Sequence, residues 1–113
     1  MGTQLGDDAL SHVLAAMAHT VRRELLAQVR TRPSRVTDLA AGFEISLPAI
    51  SRHLRVLEQA GLVTRSIEGR DHFIAANREG WQGVAGWVQD QSALWDSRLQ
   101  ALKLMMEANN GEP

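Results

Sequence analysis

A chain of 113 residues with 44% hydrophobic and 22% charged side chains makes one domain around one modest core, and it is neither disordered nor membrane-like. No apolar stretch approaches the ~20 residues that span a bilayer. The start of the chain lacks the basic and apolar regions of a secretory signal, so no membrane insertion and a cytoplasmic location are expected. The absence of cysteine excludes disulfides, thiolate metal sites and thiol redox switches.

The net charge of −1 conceals a division along the chain. Residues 22–70 hold nine arginines against five acids, while residues 1–21 carry two acids and no base. Residues 71–113 carry six acids and three bases. A basic middle between acidic ends places positive charge where phosphates would lie.

In chain order, Asp7 or Asp8 is expected to cap a first helix running to about Ala18, with Leu10, Val13, Leu14 and Met17 on one face. Thr20 is placed as the cap of a second helix, Val21 to Arg30, with Leu25, Leu26 and Val29 inward. Arg32-Pro33-Ser34 breaks the pattern, and a short helix follows over about Val36 to Phe43. Ser46 then caps a helix with Pro48 in its first turn, where a missing N–H costs little. Gly61 is the left-handed stop after Ala60.

Beyond Gly61 the period becomes that of strands. Leu62 to Ile67 and His72 to Ala76 form a hairpin with its tip at Glu68-Gly69-Arg70-Asp71. A last helix begins at Asn77 or Arg78 and reaches about Ala108, with Trp81, Val84, Val88, Trp95, Leu99, Leu102 and Met106 at helical steps.

The fold class is therefore mainly α with a small β-hairpin, in the order α-α-α-α-β-β-α. It reads as a single winged helix-turn-helix domain over 1–113, with the helix-turn-helix at 36–60, the wing at 62–76 and a dimerisation helix at 78–108. In the second helix of the motif, Leu47, Ile50, Leu54 and Leu57 share one side, whereas Pro48, Arg52, Arg55 and Gln59 share the other. A helix that enters a major groove needs such an outward face. Small residues allow close approach, and arginine reaches guanine edges or phosphates.

The candidate contacts to double-stranded DNA are Ser46, Pro48, Ala49, Ser51, Arg52, His53 and Arg55, with Arg70 at the hairpin tip for an adjacent minor groove. Ser46 doubles as helix cap and phosphate ligand, and His53, between the inward and outward faces, either braces the turn or touches backbone phosphate, with the phosphate preferred. The candidate homodimer interface is Leu10, Val13, Leu14 and Met17 of the first helix with Trp87, Trp95, Leu99, Leu102 and Met106 of the last. Left uncovered, these faces would form a sizeable apolar patch. Paired across a two-fold axis, they would space two recognition helices about one DNA turn apart, ~34 Å.

The run Ser46-Leu47-Pro48-Ala49-Ile50-Ser51-Arg52-His53-Leu54-Arg55-Val56-Leu57-Glu58-Gln59-Ala60-Gly61-Leu62-Val63 resembles the signature of the ArsR-type (ArsR/SmtB) winged-helix repressors. Arg65 to His72 is similar to their wing, and Leu14 to Arg23 to their start. The resemblance spans about residues 8–106. It implies a homodimer built from the first and last helices, recognition helices in successive major grooves, and repression by occluding a promoter.

Many members of that family sense metals through cysteines, or through Asp and His on the last helix. This chain has no cysteine, and its last helix carries Asp90 and Asp96 without a histidine, so neither metal nor cofactor is expected. His12, His19, His53 and His72 are scattered. Trp87 followed by Trp95 resembles a cysteine-free subgroup that includes autorepressors encoded beside a partner protein. Catalysis has no support, because Ser51 and His53 lie two apart on a helix and face different ways. Two alternatives stay open. One is a repressor with an unidentified organic effector in the dimer seam, or under a partner protein. The other is a winged-helix module used only for protein contacts, which exposed Arg52, Arg55 and Arg70 argue against.

Overall fold

The computed structural model describes residues 5–110. Five helices and three short strands follow in the order α1 (Asp7–Met17), α2 (Thr20–Val29), β1 (Ser34–Arg35), α3 (Val36–Ala41), α4 (Leu47–Gln59), β2 (Val63–Glu68), β3 (Asp71–Ala76) and α5 (Arg78–Asn110). Helix α4 and the β2–β3 wing lie where the sequence places them. β1 is an addition: its two residues pair antiparallel with β3, Ser34 opposite Ile74 and Arg35 opposite Phe73. The sheet is thus three-stranded, in the order β1-β3-β2.

The core gathers the inward faces of α1 to α4 and of the two wing strands, with Trp81 and Val84 of α5 packed against it partly buried. Val13 and Ala16 of α1 meet Leu25, Leu26 and Val29 of α2, Val36 and Leu39 of α3, and Ile50, Leu54 and Leu57 of α4. Leu62, Val63 and Ile74 close it from the wing side. Ile50, Leu54 and Leu57 are each 0% exposed, and burial of side chains this size contributes about 1.5–3 kcal/mol apiece. Those three anchor α4 and so fix which way its other face points.

Four local readings change. The N-cap of α1 is Gly6, with Asp7 and Asp8 inside the first turn, where acids favour the dipole but bond no amide as a cap. The N-cap of α2 is His19 rather than Thr20: its ring Nδ1 accepts from the Val21 N–H at 3.2 Å. Leu47, the first residue of α4, is exposed and not inward. Val13 is 2% exposed and belongs to the protomer's own core, so it is removed from the surface available to a second copy. Leu14, one residue on, is turned outward.

The start of α5 is stapled to the end of α4. Asn77 donates its side-chain amide to the Gly61 carbonyl at 2.8 Å, and its backbone N–H bonds Leu62 O at 3.0 Å. Trp81 Nε1 donates to the same Leu62 carbonyl at 3.2 Å. Among the described residues, no helix is long and apolar enough to cross a membrane.

Candidate nucleic-acid interface

Helix α4 begins with Ser46, whose Oγ accepts from the Ala49 N–H at 3.2 Å, satisfying one of the amides that a helix start leaves open. Its end is set by Gly61 at φ +77°, a conformation that other residues adopt at a cost. Between these two stops, Pro48, Arg52, Arg55 and Gln59 are exposed along one ridge, and Ala49 is half-buried beside them. The core contacts of Ile50, Leu54 and Leu57 present this ridge to solvent.

The wing reverses through a two-residue loop, Gly69-Arg70, closed by the Glu68–Asp71 pair. Gly69 sits at φ +65°, and a glycine at the first loop position suits a type II′ hairpin. Arg70 is exposed at the tip.

Folding sorts seven of the nine arginines in the basic middle of the chain into two groups. Arg22 and Arg23 turn back onto α1: Arg22 Nε donates to Ala16 O at 2.7 Å and Nη2 to Ala15 O at 3.2 Å, while Arg23 Nη1 donates to Met17 O at 2.7 Å. They cap the carbonyls at the negative end of that helix. Arg35 pairs with Asp71 at 3.7 Å and lies 5.7 Å from the Phe73 ring centroid. Arg65 pairs with Glu58 at 2.7 Å, tying the wing to the end of α4, and also reaches His72 Nδ1 at 3.1 Å. Arg52, Arg55 and Arg70 belong to neither of the ion pairs found among the described residues.

Of the two places read for His53, the structure shows the brace. Its Nδ1 lies 3.1 Å from Arg22 Nη1, and its ring centroid is 4.5 Å from that of His19. The side chain therefore braces α4 against the α1–α2 corner. Because Arg22 can only donate, Nδ1 accepts, which fits a neutral ring protonated at Nε2. Partial burial lowers the His53 pKa below the usual histidine value, and the charges of His19, Arg22 and Arg52 add to the effect.

Ser51 is half-buried and faces the wing. It lines a cleft of about 240 Å³ between α3, the first turns of α4 and the wing, together with Thr37, Arg35, Arg65, Arg70 and His72. Arg35, Thr37, Arg65 and His72 were not among the residues singled out from sequence. They come from β1, α3 and the two wing strands, and only their convergence in space marks them. Asp71 lines the cleft too; with Arg35 paired to Asp71 and Arg65 to Glu58, Arg70 is the guanidinium of this cleft that lies outside those ion pairs.

The expected dimer-forming residues divide by depth. Leu10, Met17 and Trp87 are half-buried, whereas Leu14, Trp95, Leu99, Leu102 and Met106 are exposed.

Comparison with known proteins agrees with this geometry. Residues 19–65 match the family model described as bacterial regulatory protein, arsR family. The chain is 34% identical over 64 residues to the HTH-type transcriptional repressor SmtB of Mycobacterium tuberculosis, covering 57% of this chain and 47%, about half, of SmtB. It is 28% identical over 79 residues to the transcriptional repressor SdpR of Bacillus subtilis, covering 70% of this chain and 88% of SdpR. Among solved structures, an ArsR-like transcriptional regulator from Rhodococcus sp. RHA1 superposes with a TM-score of 0.76 at 30% identity, over 87% of this chain and 92% of that one. With the signature helix inside the family match and a 30% identical regulator of that family superposing over 87% of this chain, the chain belongs to the arsR family of bacterial regulatory proteins, a family of regulators and not of enzymes.

Proposed function

We propose that this chain is a homodimeric transcriptional repressor that binds an inverted-repeat operator, with α4 of each protomer in a major groove and each wing tip at a flanking minor groove. One observation carries the reading: the exposed ridge of α4 displays Arg52 and Arg55 beside a capped helix N-terminus, while other arginines of the basic middle are turned to internal acceptors. Arg52, nearer the helix start, reads base edges. Arg55 and Arg70 contact phosphates, Ser46 at the start of the helix adds a further phosphate contact, and Pro48 and Ala49 keep the approach close. Ser51 contributes from the cleft.

The homodimer follows from the apolar residues that the protomer leaves outside, Leu14 on α1 and Trp95, Leu99, Leu102 and Met106 on α5. A soluble monomer does not keep so continuous an apolar surface. The test is a gel shift on the DNA upstream of the chain's own coding sequence, titrated with salt. Two phosphate-contacting arginines per protomer make four per dimer, for a log–log salt slope near about −3.6 and roughly a 150-fold loss of affinity between 50 and 200 mM salt. Binding that is absent, or indifferent to salt, overturns the reading.

A further inference from the structure

A groove of about 640 Å³ opens where α2, the root of the wing and the first turn of α5 come together. Small-molecule sites occupy about 300–1,000 Å³, so the volume suits a ligand. Met17, Leu26, Ala27 and Trp81 give the groove an apolar floor. Arg23, Arg30 and Arg78 line it as well, and among the described residues no acidic side chain does.

Trp81 is a fixed wall. Its indole N–H already donates to the Leu62 carbonyl at 3.2 Å, so the half-buried ring offers stacking surface without an unmet hydrogen bond. Met17 adds a thioether, which packs well against aromatic edges. Arg23 is held too: its Nη1 donates to the Met17 carbonyl at 2.7 Å, and its Nη2 lies 3.5 Å from Thr20 Oγ1. A guanidinium carries several further N–H donors, which remain open to a ligand. Arg30 and Arg78 belong to neither of the ion pairs found among the described residues. Three positive charges thus line an apolar groove that has no carboxylate of its own.

The surface proposed for DNA does not account for these arginines. None of the residues assigned to DNA lines the groove. Ala76, which does, ends β3 at the root of the wing, and at the usual strand rise it stands about 20 Å from Arg70 at the tip.

We propose that this groove binds an aromatic carboxylic acid of small-molecule size, its ring against Trp81 and its carboxylate among Arg23, Arg30 and Arg78. A planar carboxylate accepts two parallel N–H bonds from one guanidinium. A rigid ring covers the floor with little loss of torsional freedom, whereas an acyl chain of the same volume loses it at each bond. Trp81 also ties the start of α5 to the end of α4, so the occupant touches the joint between those two helices. The site goes beyond the repressor reading, and its test needs no DNA.

Equilibrium dialysis of the full chain against 2-naphthoate tests it. Three companions separate the chemistry: 2-naphthalenemethanol has the ring without the charge, 2-naphthylmethylamine has the opposite charge, and decanoate has the charge without the ring. Saturable binding of one naphthoate per chain is expected, with the alcohol and the amine weaker by about tenfold or more. Arg30→Gln and Arg78→Gln should each weaken naphthoate by about tenfold, and Ala27→Phe, which fills the floor, should abolish its binding. These three positions are exposed, and circular dichroism checks that each variant is folded. If acid and alcohol bind alike, or if neither arginine variant changes the affinity, the ligand is adsorbing to apolar surface and the site is overturned. Decanoate binding more tightly than naphthoate overturns the aromatic class. No binding at all, the result if a second copy of the chain fills the groove, overturns the proposal outright.

Discussion

Gly80, in the first turn of α5, offers a test in which helix propensity and packing predict opposite signs. A Cβ added there would overlap the carbonyl oxygen of Gly61 and lie 2.9 Å from its carbonyl carbon. Both are backbone atoms of a turn held at φ +77°, and the oxygen already accepts the Asn77 amide at 2.8 Å. Intrinsic propensity alone would reward Gly80→Ala by about 1 kcal/mol. Against that, overpacking a rigid contact costs about 1–3 kcal/mol, and displacing the Asn77 bond costs about 1 kcal/mol more. The net expectation is a loss of about 1–3 kcal/mol, which lowers Tm by about 4–8 °C for each kcal/mol.

Gly83, one turn further along, is the internal control. Among the described residues, a Cβ there meets only Leu5 Cδ1 at 3.4 Å, so Gly83→Ala keeps the propensity gain and is stabilised by up to about 1 kcal/mol. Thermal denaturation followed by circular dichroism, at one fixed protein concentration because assembly shifts Tm, reads both variants. A Gly80→Ala protein melting at or above wild type would refute the steric reasoning and the close seating of α5 on Gly61.

At the DNA interface, Arg52→Ala should cost about 1–3 kcal/mol on operator DNA with relaxed sequence preference, whereas Arg55→Ala should weaken all sequences alike and make the salt slope shallower by about 1 for each phosphate left without its arginine. Equal losses of Arg52→Ala on operator and random DNA would remove it from base readout. For His53, the folded pKa lies below the unfolded value of about 6.5, so the folded state disfavours the proton. Its contribution is intact above the unfolded pKa and is lost as pH falls through that value toward the folded one. His53→Gln should therefore flatten the stability–pH curve below about pH 6.5 relative to wild type, and an unchanged curve in urea titrations would show that His53 is not the group responsible. Replacing both Leu99 and Leu102 with glutamate should yield folded monomers, measured by sedimentation, that lose operator binding while retaining their helical circular dichroism.

What sequence alone determines here is local. Ser46, Pro48 and Gly61 bracket α4, and Gly69 places the wing turn, because caps and positive-φ positions are set by residues a few places apart. The 3.6-residue period likewise marks Ile50, Leu54 and Leu57 as inward and Arg52 and Arg55 as outward. Periodicity shows that a face is apolar, not what covers it. By spacing, Val13 and Leu14 share one apolar face, yet the packing of α2 and α4 takes Val13 into the core and leaves Leu14 outside. β1 has only two residues, too few to show a period, and exists because β3, nearly forty residues later, offers an edge. The arginines are separated only by tertiary contacts. Arg22 is committed by the open carbonyls of α1 and Arg65 by Glu58, so the surface left to Arg52, Arg55 and Arg70 is a consequence of the fold. The same reason governs Gly80, since nothing nearby in sequence demands a glycine there, and only the approach of Gly61, brought in by the α4–α5 staple, leaves no room for a side chain.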